Sequence, residues 1–160
     1  MNKNTIELIE CPAGKIKIGN TTHDIAPFAI GKYPITQQQY EEVMGINPSY
    51  FANKPNNPVE TVSWIDAKEF CAKLTERHRA EGILAPDEEY TLPSDEEWEY
   101  AARAGGEEPL VYGPILDIGW FWENTDHQTQ PVGQKLPNKW GIHDMLGNVW
   151  EWCRTEFKCD

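Results

Sequence analysis

The stretch from Pro131 to Trp152, PVGQKLPNKWGIHDMLGNVWEW, constrains the fold most, because it reads as neither a regular helix nor a strand. Three tryptophans and three glycines are interspersed with Asn138 and Asn148, and helical periodicity is poor. Glycine and asparagine suit positive φ, so the segment is a folded loop with its carbonyls turned in set directions. Within it, Asp144 and Glu151 bracket Gly147, Asn148 and Val149. That spacing lets a curled backbone aim two carboxylates and two or three carbonyl oxygens at one point. An oxygen-only set suits a hard cation such as calcium. The alternative is that both carboxylates bond loop amides, as loop carboxylates commonly do.

The chain of 160 residues is long enough for one domain with a single core, burying about 70% of its unfolded surface. Seven Trp, six Tyr and five Phe stand in a chain only 39% hydrophobic, so that core relies on large rings with polar handles. Twelve Gly and twelve Pro argue for short elements and many loops. A formal net charge of −12 would repel phosphate, which excludes nucleic acid and anionic membrane surfaces as partners. No apolar run reaches membrane-spanning length, and the N-terminus MNKNTIELIECP lacks the apolar core of a signal peptide, so a cytoplasmic protein is expected. Cys11, Cys71, Cys153 and Cys159 form no Cys-x-x-Cys pair and are expected as free thiols. His127 and His143 are separated by loop on both sides, a spacing that does not suggest a transition metal.

Residues 6–9 and 15–18 alternate around Pro12 and Gly14, which predicts a hairpin, and residues 25–35 read as an edge strand broken by Pro27, Gly31 and Pro34. Thr36 with Gln39 forms a capping box for a helix over 37–44, ended by Gly45. Residues 47–58 read as a surface loop, and 59–62 as strand-like. Ser63 with Asp66 opens a second helix from Trp64 to about Arg79, with Ala67, Phe70, Cys71 and Leu74 on its apolar face and His78 facing solvent. Ser94 with Glu97 caps a third helix ended by Gly105, where Asp95 to Glu97 complement the helix dipole. Residues 107–130 read as loop.

Three runs carry a family resemblance: GIHDMLGNVWEW, PVETVSWIDA and TLPSDEEWEYAARA. They resemble signatures of the formylglycine-generating enzyme, or sulfatase-modifying-factor, family. Thr91 stands where that family usually has Arg, and Gln37 where it usually has Asn. The resemblance implies an α+β, loop-rich, C-type-lectin-like fold with short strands and about three helices, in one domain over residues 1–160. It also implies a structural calcium held by the Asp144 side chain, the Gly147 and Val149 carbonyls and the Glu151 side chain. A second calcium site of the family is expected to be missing, because Asn124 occupies its usual Asp position.

Enzymes of this family oxidise a substrate cysteine with oxygen and a copper-binding cysteine pair that lies beyond the Trp-Glu-Trp run. Two thiolates suit copper(I). Here only Cys153 and Cys159 follow that run, and they are weak substitutes because they precede the redox position. The resemblance therefore implies a domain without the family's C-terminal portion and without the catalytic pair: a calcium-stabilised binding or scaffold module. The rival is an oxygen- and copper-dependent oxidase completed by a missing segment or a partner chain. In the family, late strands pair with early ones. An open sheet edge is therefore expected, covered by another protein chain or a second copy.

Overall fold

The computed structural model describes residues 6–106 and 109–154. Four short strands come first: β1 (Leu8–Cys11), β2 (Gly14–Ile18), β3 (Thr21–Ile25) and β4 (Phe28–Gly31). They form two antiparallel pairs, β1 with β4 and β2 with β3. The expected hairpin between 6–9 and 15–18 is thus absent. β2 turns back instead through Gly19 and Asn20, since Ile18 faces Thr21 and Gly19 takes φ +59°. A two-residue Gly-Asn link is a strong hairpin turn. The broken strand over 25–35 shortens to the end of β3 and β4, divided at Ala26 and Pro27.

Three helices follow their caps closely. In α1 (Gln37–Met44) the Gln39 amide donates to Thr36 Oγ1 at 3.2 Å, while Gln39 Oε1 accepts from the Thr36 amide at 3.0 Å. Gly45 closes it in the left-handed conformation. α2 (Trp64–Ala80) and α3 (Asp95–Ala102) have the same reciprocal caps at Ser63 and Ser94. α3 stops at Arg103, before Gly105. Residues 107–130 are not loop throughout: α4 (Ile115–Ile118) and a 3-10 turn (Trp122–Asn124) lie there. Residues 59–62 make no strand. Pro58 bridges Thr36 alone, and its missing N–H denies the ladder a donor.

Packing divides into an upper and a lower half. Tyr40 stacks on Phe70 with ring centroids 5.4 Å apart, and Leu74 completes a buried contact between α1 and α2. Each such side chain contributes about 1.5–3 kcal/mol when fully buried. Cys11, Ala101, Ala102, Ile142 and Met145 join β1 and α3 to the late loop, and Tyr100 packs edge-on to Trp140 beside Ile16 and Ile25. A Cβ at Gly14 would overlap the Tyr100 hydroxyl, so glycine is required at the start of β2. Among the described residues no helix is long and apolar enough to cross a membrane.

One local expectation is corrected. His78 does not face solvent; it is half-buried, with Nδ1 2.9 Å from the Tyr90 hydroxyl. Residues 47–58 form an irregular loop, and Gln37 organises it from beneath. Gln37 is 1% exposed, donates to the Phe51 carbonyl at 3.0 Å, and accepts from Asn47 Nδ2 at 3.0 Å and the Lys54 amide at 3.2 Å. Gln37→Ala should lower unfolding free energy by about 2–4 kcal/mol, since it strands buried polar groups. Urea denaturation checks this, and a loss below that of an exposed α1 control such as Glu41→Ala would contradict the role given to Gln37.

Candidate functional site

The late loop is bolted to α3 through Asn138. Its Nδ2 donates to the Ala101 and Ala102 carbonyls at the helix end at 2.8 and 3.1 Å. Its Oδ1 accepts from the Trp140 and Ile142 amides at 3.0 and 3.1 Å. Asn148 plays a similar part further on, exchanging two bonds of 3.0 Å with the Gln130 backbone. Gly147 takes φ +76° and bridges Trp120, whose carbonyl would overlap any Cβ there. Asp144 and Asn148 take φ 58° and 60°, a conformation that Asp and Asn tolerate.

Asp144 is 1% exposed. Its Oδ2 accepts from the Gly133 amide at 2.7 Å, while its Oδ1 is buried without a partner. Burial raises its pKa, and the Gly133 amide acts in the opposite direction. Glu151 Oε2 accepts from the Trp98 indole at 3.0 Å. Glu151 is exposed on the wall of a groove, and partial desolvation by neighbouring side chains pushes its carboxyl up to about 7, with the Asp144 charge adding to the effect. The Gly147 carbonyl accepts from the Val149 amide at 2.8 Å and keeps one lone pair. Asp144 meets the loop-bonding alternative through one oxygen, whereas Glu151 bonds the Trp98 indole and not a loop amide. The unpartnered Asp144 Oδ1 is an oxygen donor of the kind a hard cation takes. Among the described residues no cluster of three or more His, Cys, Asp or Glu side chains is placed to hold a metal.

His143 Nδ1 lies 2.9 Å from the Lys135 carbonyl, and His127 lies on the exposed Trp122 ring with centroids 3.7 Å apart. Asn124 turns inward, with Oδ1 accepting from Phe121 and Nδ2 donating to the Gly119 carbonyl.

The groove beside Glu151 holds about 1590 Å³ and runs between β4, the apolar face of α2 and residues 150–154. Cys71, expected as a buried hydrophobe, is half-buried in its α2 wall. Indole and guanidinium groups hold its floor. The Trp64 indole donates to the Cys153 carbonyl at 2.9 Å and the Trp152 indole to the Val62 carbonyl at 2.8 Å. Arg154 donates to the Leu92 carbonyl at 3.2 Å and pairs with Glu97 at 2.9 Å. It also approaches Thr91 Oγ1 at 3.4 Å, so a later residue returns a guanidinium to the place where Thr91 lacks one. The sequence offered no signal for this, since Arg154 and Thr91 are distant in the chain. Burial, with Asp95 beside it, pushes the Cys153 thiol up to about 12, and Cys159 lies outside the described residues.

Short strands, capped helices and a glycine-rich late loop define a loop-rich α+β fold of the kind that carries function on its loops. Residues 2–160 match the sulfatase-modifying factor enzyme 1-like domain, and the chain belongs to that family. Chaperone protein LppX of Paenibacillus barcinonensis is 31% identical across 92% of this chain and 70% of its own length. The formylglycine-generating enzyme of Thermomonospora curvata is 31% identical across 70% of this chain, which spans 38% of that enzyme. The inactive C-alpha-formylglycine-generating enzyme 2 of Bos taurus is 34% identical across 63% of this chain and 34% of its own. The chain thus spans little more than a third of the curated enzymes it matches. Two solved structures share the fold: Treponema denticola variable protein 1 (TM-score 0.76, 24% identity, 96% of this chain and 74% of that one) and CarF (TM-score 0.77, 23% identity, 94% and 80%).

A pH titration follows from Glu151. Its carboxyl is raised from an ordinary 4.5, so the folded state binds the proton more tightly, and stability falls as pH rises from about 4.5 to 7 in calcium-free protein. The Trp98 indole proton should shift in NMR with a midpoint near pH 7, and Glu151→Gln should abolish the titration.

Proposed function

We propose that this chain is a non-catalytic formylglycine-generating-enzyme-like module, stabilised by calcium, that binds another polypeptide. The observation that carries this reading is the open groove, whose lining includes Trp150 and Trp152, both exposed and the former fully so. Exposed apolar ground of this kind marks an interaction surface. Two relatives support it by their names, one a chaperone protein and one an inactive formylglycine-generating enzyme.

Calcium would be held by Asp144, Glu151 and the Gly147 and Val149 carbonyls. It would supply positive charge to the two carboxylates. Asp144, fixed by the Gly133 amide, would keep Oδ1 turned toward the ion without rearrangement. Calcium at a hundred times its dissociation constant should stabilise the fold by about 2.7 kcal/mol. Calorimetric melts with calcium and with chelator measure this. Asp144→Asn preserves shape and should melt identically in both, whereas a calcium response surviving in that variant removes Asp144 from the site.

The binding role is tested with a photo-reactive residue. Leu8→p-benzoylphenylalanine, in the groove, should give a discrete protein adduct in the native host, and the same residue at Lys17 should give none. A sulfatase-type cysteine peptide incubated with the protein, oxygen and copper(I) should be recovered unchanged by mass spectrometry. Conversion of that peptide would overturn the non-catalytic reading.

A further inference from the structure

We propose that residues 129–133 act as a strap that couples calcium binding at Asp144 to the order of the 47–58 loop. This rests on the reading of Asp144 as a calcium ligand. The strap is bonded along both flanks. On one side the Gly133 amide donates to Asp144 Oδ2 at 2.7 Å, and the Gln130 backbone exchanges two bonds of 3.0 Å with the Asn148 side chain. On the other side Asn57 Nδ2 donates to the Thr129 carbonyl at 2.7 Å and to Thr129 Oγ1 at 3.2 Å, and the Val132 amide donates to the Asn56 carbonyl at 3.0 Å. Asn57 carries the connection inward: its carbonyl accepts from the Gln37 amide at 2.9 Å, and its amide donates to the Lys54 carbonyl at 2.9 Å. The late loop, the strap and the 47–58 loop thus share one continuous set of bonds.

That set opens or closes as a unit. Asp144, Asn57 and Thr129 are 1%, 3% and 7% exposed, so lifting the strap breaks buried bonds on both flanks at once. The strap also has little slack. Pro131 fixes its own φ, and Gly133 takes φ +74° so close to the Tyr33 ring that a Cβ would overlap it. Asp144 supplies the bias between the two arrangements. In the closed one the Gly133 amide fixes its carboxylate and leaves Oδ1 buried without a partner, a cost that calcium-free protein sheds by opening. A cation on Oδ1 removes that cost only while the strap is closed, and this difference in affinity shifts the equilibrium. The 47–58 loop then gains order from an ion held by a different segment.

The test is NMR amide hydrogen exchange on the full chain, with saturating calcium chloride and with chelator. The Lys54, Asn57 and Val132 amides should slow by about tenfold or more in calcium, out of the roughly hundredfold available at a hundred times the dissociation constant. The Glu88 amide, which bonds the Ala85 carbonyl at 3.1 Å in an exposed turn, should keep its rate. In Asn57→Ala the Gly133 amide should still slow with calcium, while Lys54 no longer responds. If Asn57→Ala does not fold, the exchange pattern of the unaltered protein decides. Slowing at Gly133 without slowing at Lys54 and Asn57 overturns the coupling and leaves the Asp144 reading standing. Equal slowing at Glu88 and in the 47–58 loop assigns the effect to overall stabilisation and also overturns the coupling. No calcium response at Gly133 removes the Asp144 reading itself and the inference with it.

Discussion

Everything in the lower half of the molecule depends on the Asn138 side chain. One amide group satisfies two carbonyls at the end of α3 and two amides of the late loop, so a helix terminus and an irregular segment share one bonded junction. Asn138 is buried, and unmade bonds there would each leave a backbone group away from water. The junction sets the height of Trp140 against Tyr100 and carries the loop on toward Asp144. Removing either the donor or the acceptor half would release the loop from the helix, which explains why a chain with so few strands can still hold a carboxylate in the interior.

The starts of α1, α2 and α3 were legible in the sequence. Thr36, Ser63 and Ser94 each sit three residues before a side chain that returns the bond, and all three helices begin where those pairs place them. Strand pairing was less legible. The alternation in residues 6–9 and 15–18 suggested that they pair with each other, but alternation reveals a half-buried strand and not its partner. The partner of β2 was marked by Gly19-Asn20, the two-residue link to β3. Gln37 shows a different limit: as a helix-opening residue it looked interchangeable, and only its burial reveals that it anchors a whole loop.

The candidate site was legible as a set of residue types and illegible as an environment. Asp144 and Glu151 could be paired from their spacing, yet the spacing did not show that one would be sealed and the other would stand in a groove wall. The same holds for Cys153, whose thiol is raised first by burial and then by Asp95, a residue distant in the chain. Arg154 is the sharpest case, since one side chain joins Thr91, Leu92 and Glu97 across a long sequence separation. Such compensation is visible only when the two segments are seen side by side.

The nesting of the four strands has a kinetic side. β2 and β3 lie wholly inside the interval that β1 and β4 must close. Once the inner hairpin is formed through its two-residue turn, the free chain left between Cys11 and Phe28 shrinks to Pro12, Ala13, Ala26 and Pro27. Loop-closure entropy grows with the length of flexible chain, so the outer pair then meets a much smaller penalty than its sequence separation implies. A sheet that looks long-range in sequence is assembled as two local events, and the edge of β4 is completed only by the second of them.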